Sequence, residues 1–366
     1  MVTYRKTRIV CVSDTHGYSP MQAGFRLPPG DVLIHAGDLT NQGRKSELQR
    51  TMQWIQDADY EAKVVVAGQS NNIRTRPETL SRLTRGDVLT LYVPLGNHDV
   101  TLDAQFYAEH GPHFHGQKPE SPSECIELVK TQFPSVIFLE HSSALVKLTA
   151  PEGPRTMFKV FGSPYSRFQG SWAFGYSSAD EGDGLWGQIP MDVDIVLTHS
   201  PPAGHCDGRH GSKDDTKALG CDQLLHALER VRPMLAVCGH VHAGRGYERV
   251  RWDANEDEKV ASIPVNMDSL PPIGSKKQSL VDLTGRTHRR LENTSYTNIS
   301  ICGDPTTTRS HPVQTARKET CIVNAAIMAT SWPYKGGKQF HSPIVVDLNL
   351  PVGDDVDDNS EQTREK

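Results

Sequence analysis

Apolar runs of four or five residues recur along the first two thirds of the chain, and each stops at a polar or small residue. Residues 8–13, 32–36 and 63–67 read as buried strands, because their apolar positions are consecutive and rich in Val and Ile. The spacing then changes. Over residues 43–57, Leu48, Met52 and Ile55 fall on one face of a 3.6-residue period, which predicts a helix. Residues 136–139, 144–148 and 158–161 read as further short strands, and 195–198 as another, bounded by Pro201 and Pro202. Residues 221–231 read as a helix ended by Pro233, followed by a strand at 235–238. This alternation predicts an α/β architecture, and the close-spaced strands of the middle and end predict a second sheet. No internal repeat is present.

Three stretches stand outside the pattern. Residues 69–95 are polar and Arg-rich at first, then apolar from Val88 to Val93. Residues 253–318 have little apolar periodicity and much Ser, Thr, Asp and Lys, so they read as a long loop or disordered insertion. Residues 351–366 read as a disordered acidic tail. The expected organisation is one domain over 1–350 with insertions at 69–95 and 253–318.

Composition narrows the function. The net charge is −5, so no basic excess speaks for nucleic-acid binding. The seven cysteines are irregularly spaced and form no C-x-x-C pair, which predicts free thiols in a reducing compartment. The N-terminus leads directly into the first strand, leaving no room for a signal peptide, and no apolar stretch approaches membrane-spanning length. A cytoplasmic protein without membrane contact is expected.

The candidate chemistry sits just past the strands. Asp14-Thr15-His16 follows the first, Gly37-Asp38 the second, Thr198-His199 ends another, and Gly239-His240-Val241-His242 follows the last. Gly96-Asn97-His98-Asp99 completes the set. In an extended strand end, residues i and i+2 project to one side, so Asp14 with His16, and His240 with His242, can reach one cation. A carboxylate after a glycine turn can bridge two metals. Each stretch alone also has a bland reading: a capping or turn aspartate for Asp38, a tight turn for Gly96-Asn97 and a structural histidine for His199. Asp99 can orient His98 or cap the following segment. His35, His113, His115, His141 and His226 lack a partner at ligand spacing and read as structural. His205 and His210 lie in a Gly-rich loop that can line the site, but neither reads as a ligand. Trp172, Phe174 and Trp186 read as core.

In the order D-x-H, G-D, G-N-H-D, H, G-H-x-H, these stretches resemble the calcineurin-like metallophosphoesterase superfamily. More narrowly, the chain is similar to the metallophosphoesterase-domain-containing proteins and their fungal relatives. The closer likeness is carried by Gly162-Ser163-Pro164-Tyr165, Trp172-Ala173-Phe174, Leu185-Trp186, the run from Thr198 to His205, Val323-Asn324-Ala325, and Pro343 to Leu348. The resemblance implies a four-layer α/β/β/α sandwich of two mixed sheets. It implies two divalent ions, with manganese, iron or zinc all compatible with mixed N/O ligands. Asp14, His16, Asp38 and His242 would hold the first; Asp38, Asn97, His199 and His240 would hold the second. A water bridging the ions would attack phosphorus, and His98 would protonate the leaving oxygen or stabilise the transition state.

Two comparisons within the superfamily refine this reading. Some of the closer relatives replace the first histidine of G-H-x-H with glycine; His240 is present here, which implies a full ligand set and an active enzyme. Its Ser/Thr phosphatases read G-D-x-x-D-R-G, whereas this chain carries Asn41 and Gln42 at the positions of that aspartate and arginine. A small phosphodiester resembling a cyclic nucleotide is therefore the expected substrate. A phosphomonoesterase, a nuclease, or a metal-binding scaffold with a misplaced His98 are the alternatives. Gly68 duplicates the motif glycine at the end of the third strand. Either 63–67 remains that strand, or 89–93 replaces it; Pro94 cannot donate to a central ladder, which favours the first.

Overall fold

The computed structural model describes residues 3–68, 98–167, 173–208, 219–252, 270–275, 277–291, 317–329 and 337–353. Within β1 (Tyr4–Val12), Ile9 and Cys11 point one way and Val10 and Val12 the other, and all four are buried. A strand covered on both faces must lie inside a layered fold.

The first sheet has the order β12-β14-β1-β2-β3-β4. It comprises β1, β2 (Val32–His35), β3 (Ala62–Val66), β4 (Val136–Leu139), β12 (Ser279–Asp282) and β14 (Ile344–Pro351). β14 is antiparallel to β1, and the other pairings are parallel. The second sheet has the order β11-β13-β10-β9-β6-β5. Its members are β5 (Ser142–Lys147), β6 (Met157–Ser163), β9 (Ile195–Thr198), β10 (Leu235–Cys238), β11 (Gly246–Arg251) and β13 (Glu319–Asn324). Here β5 and β11 are the antiparallel edges. A short pair, β7 (Ser166–Arg167) and β8 (Gly175–Tyr176), stands apart.

The sheets face each other across a core in which Ile9, Cys11, Ile34 and Val64 meet Val160, Leu197, Leu235 and Val323. On the outer face of the first sheet, Val10, Leu33 and Val65 pack under α2 (Lys45–Asp57) and α4 (Pro122–Thr131), with α3 (Ala104–His115) beside them. On the outer face of the second, Phe161, Val196 and Ala236 pack under α5 (Ala179–Trp186) and α6 (Asp222–Val231). A short α1 (Pro20–Ala23) follows the first strand. The result is the four-layer α/β/β/α sandwich.

The structure corrects the reading of 253–318 as loop throughout. β12 lies inside it, paired with β14, and Val281 and Leu283 enter the inter-sheet core. A strand of four residues, two of them polar, is too short for a periodicity scan to separate from loop. The same region is tied down by charge: Glu319 takes Arg249 at 2.6 Å and also pairs with Arg289. At the third strand, residues 62–66 pair with both β2 and β4. Residues 69–97, including the alternative strand 89–93, lie outside the described residues, as do 253–269, 292–316 and the tail from 354. Six described cysteines are buried and free. Among the described residues no helix is long and apolar enough to cross a membrane.

Candidate metal centre

Parallel strands deliver their C-terminal ends to one rim of each sheet, and ligands bind at such rims in open α/β sheets. Here β1 ends into Asp14 and His16, β2 into Asp38, β9 into His199, and β10 into His240 and His242. Backbone bonds lock these ends together: Asp14 N donates to Gly37 O at 3.0 Å, His16 N to Asp38 O at 3.0 Å, and Gly239 N to His199 O at 2.9 Å. The His240 amide donates to both carboxylate oxygens of Asp14 at 3.0 Å, joining the rim of one sheet to that of the other.

The side chains then converge. Ligand atoms of Asp14, His16 and His242 lie within 4.8 Å of one another, as do those of His16, Asp38 and His98, and those of Asp14, Asp38 and His199. The His240 ring stands 5.0 Å from that of His199. Asn97 lies outside the described residues. The reason Asp14 and His16 meet differs from the strand-end argument. Both have left-handed backbones, φ 57° and 47°, as do Asp38 at 54° and His240 at 65°. A turn folded back on itself, not an extended end, aims these groups inward. Such conformations cost about 1–3 kcal/mol each and persist where surrounding structure imposes them.

Glycines make that folding possible. A Cβ on Gly239 would lie 2.0 Å from Ser13 Oγ and 2.3 Å from Asp14 Oδ2. A Cβ on Gly68 would lie 1.9 Å from the Asp38 amide nitrogen. Gly68 therefore packs directly on the Asp38 turn.

The electrostatics call for a cation. His199 Nδ1 donates to Ala36 O at 2.7 Å, which places a proton on Nδ1 and turns Nε2 toward Asp38 Oδ1, 3.3 Å away. His98 repeats the device: Nδ1 donates to Asn41 O at 2.9 Å, and Nε2 faces Asp38 Oδ2 at 3.9 Å. Electron pairs facing a carboxylate repel unless a positive charge lies between them. Asp38 Oδ1 is buried and accepts no hydrogen bond, and His16 Nδ1 is buried without a partner. Burial, then the carboxylates of Asp14 and Asp99, push the Asp38 pKa well above its usual range. Burial alone would also raise Asp14, but the hydrogen bond and charge of His242, with His199 and His16, hold it well below. Burial, then His98 and His242, hold His16 well below its usual value, and burial brings His98 to about 3. Imidazoles whose protonation burial disfavours, as at His16 and His98, beside buried carboxylates are donors of the kind a divalent ion takes. Three such triads converge and share Asp14, His16 and Asp38; His240 belongs to none of them, and Asn97 lies outside the described residues.

Asp99 neither bonds the His98 ring nor caps the 3-10 turn that follows. Its carboxylate accepts from Leu39 N at 3.0 Å, Thr40 N at 2.9 Å, Thr40 Oγ1 at 2.8 Å and Gly68 N at 2.8 Å, so it braces the Asp38 turn against the end of β3. Two other braces went unread in the sequence. Asn324 Nδ2 donates to Cys206 O at 3.0 Å and Val241 O at 2.9 Å, holding the loop after His199 against the His240–His242 turn. Glu248 holds His205 Nδ1 at 2.8 Å, which takes His205 away from the centre. His35 bonds Thr15 Oγ1 at 2.9 Å, and His115 bonds Gln42 O at 2.9 Å; both are structural. Phe174 and Trp186 are buried in the outer cores, and Trp172 and His210 lie outside the described residues.

The sequence model of the calcineurin-like phosphoesterases matches residues 7–244. Human metallophosphoesterase domain-containing protein 1 is 32% identical over 279 residues, covering 73% of this chain and 70% of the human protein. A protein of Emericella nidulans named probable rhamnogalacturonate lyase C is 36% identical over 67% of this chain, a stretch that spans only 18% of that protein's length. Among solved structures, purple acid phosphatase PPD1 of yellow lupin aligns over 95% of this chain and 50% of its own, with 13% identity and a TM-score of 0.37. The chain belongs to the calcineurin-like phosphoesterases, a family of metal-dependent hydrolases that generally use two divalent ions.

Proposed function

We propose that this chain hydrolyses small phosphodiesters, of the size of a cyclic nucleotide, at a two-ion centre. The observation that carries the reading is the facing of Asp38 by His199, His98 and His16 inside a buried pocket of carboxylates and imidazoles. Asp14, His16, Asp38 and His242 would hold one ion, and Asp38, Asn97, His199 and His240 the other. Manganese is the ion with which the reading is best tested. When bound, the ions would acidify a water between them and neutralise charge on the phosphoryl oxygens.

The rest is done by the chain. Asp38 sits between both ligand sets and fixes their separation. His98, tethered through Nδ1, presents Nε2 to the centre; because Nδ1 carries the one proton of the neutral ring, Nε2 must first take up a proton from the site before it can pass one to the leaving oxygen. The Asp99 carboxylate on Leu39, Thr40 and Gly68, with the Thr40 hydroxyl on His98 O, keeps that nitrogen in place. Diesters are favoured over monoesters by the turn after Asp38. Asn41 meets His98 through its backbone carbonyl and brings no carboxylate side chain to strengthen the hold of His98 on a proton, and Gln42 brings no guanidinium to meet the second charge of a monoester.

The test compares a chromogenic diester with its matching monoester, using manganese-loaded protein. The diester is expected to show at least a tenfold higher kcat/KM. Monoester preference would reverse the substrate assignment. Turnover of neither, with metal shown to be bound, would leave a metal-binding scaffold.

A further inference from the structure

The His16–His242 edge of the centre carries cationic side chains that the ligand set does not use. Two strips of chain lie against the Asp14 turn: Ile327 N donates to Ser13 O at 3.0 Å, and His341 N to Ile327 O at 2.7 Å. The outer strip brings Phe340 onto the ring of Tyr18 at 5.3 Å and Lys338 Nζ over that same ring at 4.6 Å. Tyr18 is two residues from His16, and the charge of Lys338 reaches the His16 imidazole.

Arg245 follows the turn at His242. Its amide closes the turn on His242 O at 3.2 Å, and its Nη2 donates to Ser342 O at 2.6 Å. It is half-buried, yet among the described residues no carboxylate pairs with it. Burial lowers its pKa to about 10, so it stays charged at neutral pH. Its neighbour His341 is brought to about 4 by burial, Arg245 and His242, and is neutral there. A guanidinium withdrawn from water without a counter-ion is costly unless an anion arrives to share its donors. One end of its fork is spent on Ser342, which orients the remainder.

We propose that Arg245, aided by Lys338 at Tyr18, is the anion clamp of this centre and holds a non-bridging phosphoryl oxygen of the bound ester. This rests on the phosphoester reading above and adds to it a binding residue from the β10 side. One guanidinium matches the single charge of a diester. Charge-assisted bonds of this kind carry tenfold to hundredfold effects on affinity.

Calorimetric titration of inorganic phosphate into manganese-loaded wild type, Arg245→Ala and Arg245→Lys, beside diester kinetics, tests the proposal. Arg245→Ala is expected to weaken phosphate binding at least tenfold and to raise KM more than it lowers kcat; Arg245→Lys recovers part of the affinity. Phosphate affinity within twofold of wild type at equal metal content overturns the clamp. Should Arg245→Ala not fold, Lys338→Gln decides: about threefold weaker binding with a shallower salt dependence supports the clamp, and no change overturns it. Phosphate binding that needs Arg245, in a protein that turns over no ester, would sink the hydrolase reading and keep the clamp. Ester turnover with KM and phosphate affinity unmoved by Arg245→Ala would do the reverse.

Discussion

His98→Ala lowers diester turnover by about two to four orders of magnitude while the bound metal stays at its wild-type level. The ring lies 4.0 Å from that of His16, with an interplanar angle of 68°, and its Nε2 faces Asp38. That placement would also suit a ligand, since His98 groups with His16 and Asp38. The two roles separate in the variant. A lost ligand lowers metal content together with rate, whereas a lost proton donor lowers rate alone. They separate again with the leaving group. An activated phenolate needs little help from an acid, so the loss is smaller for a nitrophenyl diester than for an alkyl diester. A metal content that falls with the rate, or equal losses on both substrates, would make His98 a ligand or a structural residue.

Asp38→Asn removes diester activity and the affinity for metal together, yet leaves the metal-free protein more stable by about 1–2 kcal/mol. Asp38 is buried against Asp14 and Asp99, and its Oδ1 has no donor. The amide removes one of these like charges. It also offers an N–H where the lone pair of His199 Nε2 stands 3.3 Å away. A repulsive contact becomes a hydrogen bond, and the site gives up the charge that called for a cation. Thermal unfolding without metal, then with manganese, checks both halves. Wild type should gain stability on loading. The variant should start higher and gain nothing. A variant less stable than wild type without metal would show that Asp38 is held by contacts of its own and not by the ions.

Much of this was legible in the chain. The strands at 195–198 and 235–238 have the bounds read from their apolar runs, because both are short, covered on both faces and cut off by a turn. The candidate ligand stretches were visible for the same reason: an apolar run that ends in Asp or His has delivered that side chain to a rim. What escaped depended on distant partners or on weak local pattern. α3 carries Pro112 and three histidines, which blur its period; α4 had a readable start in Ser121-Pro122. The left-handed turns at Asp14, His16, Asp38 and His240 leave no mark in a pattern of residue types. Asp99 acts on residues some sixty positions earlier, and Arg245 on Ser342, 97 positions later. Neither spacing belongs to any local period.

The number of divalent ions held per chain tests the account most directly. Equilibrium dialysis of wild type against manganese, followed by elemental analysis, should give two ions per chain at saturation, and fewer than one in Asp38→Asn. Saturation of wild type at a single ion, or at none, would contradict a two-ion centre built around Asp38.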